Sequence, residues 1–95
     1  MYNSAMNSVE NITIPSTVFA QVVDDEMVLL DTQSENYFGL DAIGTVMWQE
    51  LSQHQSIPAL QSYMLEHYDV SEDVIKQDIK AFINHLVDNK LIILG

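Results

Sequence analysis

The chain has 95 residues, enough for one globular domain with a single small core. Fourteen aspartates and glutamates against three lysines, with no arginine, give a formal net charge of -11. This balance disfavours binding to nucleic acid and to anionic membrane surfaces, because both are bound through clustered Lys and Arg. The absence of cysteine excludes disulfides, thiolate metal sites and a cysteine nucleophile from this sequence.

The first residues carry no targeting signal. Residues 1–11 have neither the basic nor the apolar segment of a signal peptide, and the apolar run at 91–94 is far shorter than the roughly 20 residues of a membrane span. We therefore expect a cytoplasmic protein. Residues 1–15 are predicted to be a flexible N-terminal tail, since they are rich in Ser and Asn and end at Pro15, and residues 16–95 are predicted to form the domain.

Three strands are predicted first. Residues 18–23 and 26–31 are β-prone runs around Asp24-Asp25, the spacing of a tight hairpin. Residues 36–40 then offer a short aromatic strand that completes an antiparallel meander and leaves an open edge. Alternation along this third strand places Phe38 and Leu40 on one face of the sheet and Tyr37 and Gly39 on the other.

Three helices are predicted next, with Asp41, Ser56 and Ser71 as their N-caps. Apolar residues at helical spacing mark the first helix to about Ser52, the second before residue 69, and the third up to Asn89. An extended apolar segment at 91–94 is expected to pack back on the core. Strands followed by helices predict an α+β domain with a small sheet beside a helical bundle.

The residue types used in catalysis and metal binding form no recognisable motif in this sequence. The three histidines, His54, His67 and His85, lie too far apart for a metal-ligand pair, and the acidic residues 24–26 lack the alternation and glycine of a calcium loop. No phosphate-binding glycine loop and no serine nucleophile motif occurs. We therefore expect no catalytic residue, no metal site and no cofactor, and a protein that is not an enzyme.

The third strand is the candidate binding element. Its edge carries no proline or lysine, so an incoming peptide could add as a fourth strand above a groove floored by the third helix. Packing in the core, with a chance glycine at position 39, explains the same residues without any ligand. A winged-helix DNA-binding regulator has the same order of elements, but Glu72, Asp73 and Asp78 make the third helix a poor partner for phosphate.

A longer pattern points to one family. The run Y-F-G-L-D-x-x-G-x-x-x-W, which starts at Tyr37, follows a hairpin and precedes two further helices, the last of which carries Asp78, Phe82 and Leu86. Over residues 18–94 the chain resembles the PqqD-like family of peptide-binding chaperones in natural-product biosynthesis. That family includes the stand-alone leader-recognition proteins, or RiPP recognition elements, of lasso-peptide pathways.

The resemblance implies a fold and a site. The implied fold is winged helix-turn-helix-like, a three-stranded antiparallel sheet followed by three helices, with the leader of a precursor peptide lying along the third strand and the third helix. The residues implied in peptide binding are Asn36, Tyr37, Phe38, Gly39 and Leu40 on the strand and Val74, Ile75, Asp78, Ile79 and Phe82 on the helix. Ile79 and Phe82 are the expected core pair among them, and Asp78 is expected either to be solvated or to bond leader backbone donors or a basic leader residue.

The resemblance also implies partners. A bound leader peptide would be handed to a separate transglutaminase-like cysteine protease or to another modifying enzyme. The acidic, arginine-free composition favours a role in lasso-peptide biosynthesis over a role in pyrroloquinoline quinone biosynthesis. A chaperone for a radical-SAM peptide-modifying enzyme is the alternative within the family.

Overall fold

The computed structural model describes residues 11–95, which form five strands and three helices. In chain order these are β1 (Ile12–Thr13), β2 (Val18–Val23), β3 (Glu26–Asp31), β4 (Asn36–Leu40), α1 (Ala42–His54), α2 (Ile57–His67), α3 (Glu72–Asp88) and β5 (Ile93–Leu94). The predicted α+β fold, a three-stranded antiparallel sheet followed by three helices, is confirmed. The predicted tail lies outside the described residues over positions 1–10.

A two-residue turn closes the first hairpin. Asp24 and Asp25 both have positive φ, 52° and 70°, as the central residues of a type I′ turn require. Val23 pairs with Glu26 directly across this turn, and the register continues to Val18 opposite Asp31. The predicted hairpin is confirmed, and its turn type sets the register of β2 on β3.

The sheet has the order β2-β3-β4, so β4 lies at one edge. Met27 and Leu29 of β3 and Leu40 of β4 are buried on the face that meets the helices. In β2 only Val18 is buried, because the rest of the strand extends beyond the small core. The sheet therefore has one face on the helices and one face open to solvent.

Each helix begins at its predicted N-cap. Asp41, Ser56 and Ser71 each accept a hydrogen bond on a side-chain oxygen from the backbone N–H three residues later. At the first cap the fit is close, since a Cβ on Gly44 would lie 3.1 Å from Oδ1 of Asp41. Glycine here lets the chain turn from β4 into α1 with its N–H 2.7 Å from the capping carboxylate.

One core joins the sheet and the helices. Its fully buried side chains come from β3, all three helices and the segment after α3: Leu29, Leu51, Leu60, Ile83, Leu86 and Leu91. The buried Thr45 of α1 adds a polar link, because its hydroxyl accepts from the N–H of Met27 at 3.2 Å and donates to the carbonyl of Leu40 at 3.5 Å. This link fastens α1 to the end of the β3-β4 ladder.

The two ends of the described part of the chain meet in a second, two-stranded ladder. The predicted extended segment after α3 is confirmed, and its last part, β5, pairs with β1. Ile12 of β1 is only 2% exposed, and its N–H donates to the carbonyl of Gln55 at 3.0 Å. The folded unit thus starts at least four residues before the predicted boundary at Ser16, because a two-residue strand is too short to show a period in sequence.

We expect Ile12→Ala to lower the free energy of unfolding by about 2–5 kcal/mol, the usual cost of truncating a buried isoleucine. Thr13→Ala is the matched control, since Thr13 is exposed and its change should stay within about 1 kcal/mol. Urea unfolding followed by circular dichroism measures both. Equal effects of the two substitutions would show that β1 is not part of the cooperative core.

Candidate functional site

The turn at Asp24-Asp25 determines which backbone groups of β4 are available. Across a two-residue turn the flanking residues, Val23 and Glu26, form a hydrogen-bonded pair, and such pairs recur at every second position of an antiparallel ladder. The N–H of Thr32 donates to the carbonyl of Thr17 at 2.9 Å, which continues the same alternation. Even-numbered residues of β3 therefore bond to β2, and odd-numbered residues bond to β4.

The same alternation assigns the groups of β4. Asn36, Phe38 and Leu40 lie opposite odd-numbered residues of β3, so their N–H and C=O groups point toward β3. Tyr37 and Gly39 point their backbone groups away from it, and within residues 11–95 no strand pairs with that side. The predicted open edge is confirmed. Of the five residues of β4, however, only Tyr37 and Gly39 have backbone groups that are open to pairing.

A groove runs beside this edge, between β4, the start of α1 and α3. Its volume is about 510 Å³. It is lined by the end of β4 and by one face of α3, with the first turns of α1 closing one end: Gly39, Leu40, Asp41, Ile43, Gly44, Met47, Asp78, Ala81, Phe82 and His85. The open backbone groups of β4 thus border a concave surface.

A smaller apolar cavity continues the groove. Its volume is about 160 Å³, and it shares Ile43, Met47 and Asp78 with the groove. The remaining lining residues come from the end of α2, the link to α3 and the first half of α3: Met64, Tyr68, Val70, Ile75 and Ile79. Together the two spaces form a cleft from His85 to Val70 along α3.

The structure divides the helix residues implied by the family resemblance. Asp78 and Phe82 line the groove, whereas Ile75 and Ile79 are buried in the core and line only the smaller cavity. Val74 is exposed and lines neither. Ile79 is in the core as expected, and Phe82 is half-buried, packed against the core on one side and lining the groove on the other.

On the strand, Gly39 and Leu40 line the groove, whereas Asn36, Tyr37 and Phe38 do not. Phe38 is half-buried and meets His85 edge-on, with ring centroids 6.2 Å apart. Sequence reasoning missed His85, Asp41 and Ile43. His85 follows Asp78 at seven residues, so extending the helical period from Asp78 through Phe82 would have found it.

Negative charge predominates at the groove. Asp41 and Asp78 both line it, and Asp78 makes no side-chain hydrogen bond or salt bridge within residues 11–95. Lys76, two residues away and therefore on another side of α3, donates to Glu72 at 2.8 Å instead. This hydrogen bond lowers the pKa of the Glu72 carboxyl and raises the pKa of Lys76. A ligand with donors or positive charge suits the groove better than an anion.

Metal-ligand clusters and membrane-spanning helices were sought in the described part of the chain. No group of three or more His, Asp or Glu side chains there is placed to hold a metal ion. No helix of residues 11–95 is long and apolar enough to cross a membrane.

The fold and the open edge define a small winged helix-turn-helix-like protein with a strand available for pairing. The chain belongs to the PqqD family, whose model, described as coenzyme PQQ synthesis protein D, matches residues 26–92. The resemblance predicted from the sequence is confirmed.

Two solved structures are similar to this chain. One, described as TbiB1 in complex with the TbiA(beta) leader peptide, is 30% identical with a TM-score of 0.79, over 84% of this chain and 93% of that one. The other, lasso peptide synthetase B1 complexed with the leader peptide, is 23% identical with a TM-score of 0.78, over 87% of this chain and 98% of that one. No match was found among the curated proteins.

Proline substitution in β4 tests the alternation of its backbone groups. Phe38→Pro removes an N–H that bonds to β3 and leaves a carbonyl of β3 without its donor. We therefore expect Phe38→Pro to lower the free energy of unfolding by about 1–3 kcal/mol more than Tyr37→Pro does. Tyr37→Pro removes an N–H that faces the open edge. Urea unfolding of both variants measures the difference. If Tyr37→Pro proves the more destabilising, the assignment of the open groups is reversed.

Proposed function

We propose that this protein binds the leader segment of a ribosomally made precursor peptide as a fourth strand on β4. The observation that carries this proposal is the open backbone of Tyr37 and Gly39 beside the groove between β4 and α3. The similar structure at 30% identity, described as a complex with a leader peptide, supports the same class of ligand.

Backbone pairing alone is too weak for this function. The N–H and C=O groups of Tyr37 and Gly39 offer four hydrogen bonds, each contributing a net of about 0.5–1.5 kcal/mol, or about 2–6 kcal/mol together. A dissociation constant of about 1 μM corresponds to about 8 kcal/mol, after the entropic cost of ordering the peptide has been met. The groove must therefore supply the larger part of the affinity.

The side chains that line the groove can supply this larger part of the affinity. Side chains of an added strand alternate between the two faces of the sheet, so every second leader residue faces the groove. An apolar side chain buried there beside Leu40 and Phe82 contributes about 1.5–3 kcal/mol. Asp78 and Asp41 favour a leader with a basic residue or unpaired N–H groups next to its apolar ones.

The protein then presents the leader to a second protein that does the chemistry. The sequence holds no cysteine, so a cysteine nucleophile has to come from the partner. The partner proposed is a transglutaminase-like cysteine protease that removes the leader of a lasso-peptide precursor, and this chain is proposed to have no catalytic role of its own.

Leader binding is tested with a short precursor peptide sought among the genes that neighbour the gene of this chain, labelled at its leader and followed by fluorescence anisotropy. We expect Tyr37→Pro to weaken binding tenfold or more, because one edge donor is lost and a leader carbonyl is left without a partner. Tyr37→Thr is the matched control: it keeps the N–H and introduces a β-branched side chain that favours strands, and it should change the affinity less than about fivefold.

Circular dichroism must show that both Tyr37 variants are folded. Asp24→Asn at the hairpin tip, which tolerates the positive φ of this position, serves as a distant control and should bind as the wild type does. If the wild type and Tyr37→Pro bind the leader with equal affinity, strand addition is excluded as the binding mechanism. Binding to heparin in place of the leader would favour the DNA-binding alternative.

Charge should act mainly on the rate of association. With a net charge of -11, the protein should attract a leader of net positive charge, so its association rate should fall as ionic strength rises from about 0.01 M to about 1 M. Stopped-flow measurement with the labelled leader gives this rate. A rate that does not depend on salt would exclude electrostatic steering by the acidic surface.

A further inference from the structure

The sheet has a second open edge, along β2. The alternation that the turn at 24–25 imposes on the β2-β3 ladder directs the backbone groups of odd-numbered β2 residues toward β3. Those of Val18, Ala20 and Val22 point away, and the described part of the chain places no strand on that side. The N–H of Val18 already donates to the carbonyl of Pro15 at 3.0 Å. Ala20 and Val22 are thus the β2 residues whose N–H and C=O groups are both open.

The β2 edge lacks the features that keep edge strands from pairing with other chains. The strand Val18–Val23 is six residues long and contains no charged residue, proline or glycine, and no bulge interrupts its register with β3. Toward its free end the side chains are exposed, 60% for Val22 and 47% for Val23. An edge of this kind is a template for another strand.

A second copy of β2 is complementary to this edge. Antiparallel pairing of Ala20 with Val22 of the second copy, and of Val22 with its Ala20, makes four hydrogen bonds and uses every open N–H and C=O of these residues. The twofold axis then passes beside Gln21, which faces Gln21 of the second copy in a non-hydrogen-bonded pair. Phe19 lies opposite Val23 of the second copy, so two exposed apolar side chains come into contact.

This register keeps the acidic turns apart. It places the carboxylates at 24–25 of one copy opposite Val18 and Thr17 of the other, so no two carboxylates face each other across the pair. The buried end of each β2 thereby lies opposite the exposed turn of its neighbour. The contact is made along the part of β2 that extends beyond the core.

The β4 edge is protected against the same kind of self-pairing. Pairing of its open residues, Tyr37 with Gly39 of a second copy, would place Glu35 opposite Asp41 of that copy at both ends of the contact. Like charges directly opposite each other destabilise a strand pair. Self-association is therefore favoured at β2 and opposed at β4, which leaves β4 available to a peptide.

We infer that the protein forms a homodimer in which two β2 edges pair antiparallel about Gln21. The dimer has one continuous six-stranded sheet in the order β4-β3-β2-β2-β3-β4, with an open β4 edge at each end. The inference does not depend on the proposed function, because β2 and β4 lie at opposite edges of the sheet. A contact of two strands between copies of net charge -11 is weak, with a dissociation constant of about 10–1000 μM.

Proline at the open position of each edge separates the two contacts. Ala20→Pro removes an N–H that faces the edge, so the ladder with β3 stays intact while the dimer loses two of its four hydrogen bonds. We expect it to weaken dimerisation about tenfold or more in sedimentation equilibrium and to leave leader affinity within about twofold of wild type. Tyr37→Pro is the matched control, and should weaken leader binding without changing dimerisation. Circular dichroism checks that both variants are folded.

A single introduced cysteine tests the register. The sequence holds no cysteine, so the disulfide that Gln21→Cys forms with itself must join two copies. Non-hydrogen-bonded pairs bring side chains closest, which puts two thiols on the axis within reach of a disulfide. Gln33→Cys, also at an exposed position, is the control. Under oxidised glutathione we expect Gln21→Cys to form the covalent dimer about tenfold faster than Gln33→Cys, because pairing raises the effective thiol concentration.

Salt should act on the dimer in the direction opposite to its effect on leader association. Each copy carries a net charge of -11, so screening reduces the repulsion between two copies and should strengthen the dimer as ionic strength rises. Sedimentation equilibrium at low and high salt measures this change. A dimer that weakens with salt would be held by ion pairs, which the β2 contact does not contain.

Several outcomes would overturn the inference. They are a wild type that stays monomeric at about 1 mM, a dimer that Ala20→Pro leaves intact, and equal rates of crosslinking for Gln21→Cys and Gln33→Cys. A dimer that saturating leader dissociates would show that the β4 edges pair instead. If the wild type binds no leader but forms a dimer that Ala20→Pro weakens, the proposed function fails and the homodimer stands.

Discussion

The two-residue turn at Asp24-Asp25 sets the arrangement of the whole binding edge. Because hydrogen-bonded pairs alternate along an antiparallel ladder, the turn decides which residues of β3 bond to β2 and which bond to β4. That choice leaves the backbone of Tyr37 and Gly39 facing outward. Insertion of one residue in the turn would exchange these groups for those of their neighbours and would also turn the side chains of β3 to the wrong face.

A chain of this size has little internal space for a ligand. A deep pocket would remove packing that a domain of about 100 residues cannot spare, and the core here takes in side chains from the sheet, all three helices and the segments before β2 and after α3. The proposed binding surface lies at the edge of the sheet, where backbone groups are available beside the groove. The groove beside it follows from the way α3 crosses past β4, and Thr45 holds that end of β4 to α1.

Local signals in the sequence account for most of the elements. The N-caps at Asp41, Ser56 and Ser71 and the hairpin turn are each specified by a few neighbouring residues, so they were predictable without tertiary contacts. The pairing of β1 with β5 was not, because it joins two residues near each end of the chain. Helical spacing likewise could not separate the groove residue Phe82 from the core residue Ile79, since both lie within the same broad apolar stripe.

The sequence by itself determined the order of the three sheet strands and the three helices, the acidic character and the strand that forms the open edge. These depend on residue type and short-range spacing, which are visible in one dimension. Tertiary structure decided that Tyr37 and Gly39 hold the open backbone groups of β4 and that His85 joins the groove. Those facts depend on register and on the packing of distant segments, and such relations exist only once the chain has folded.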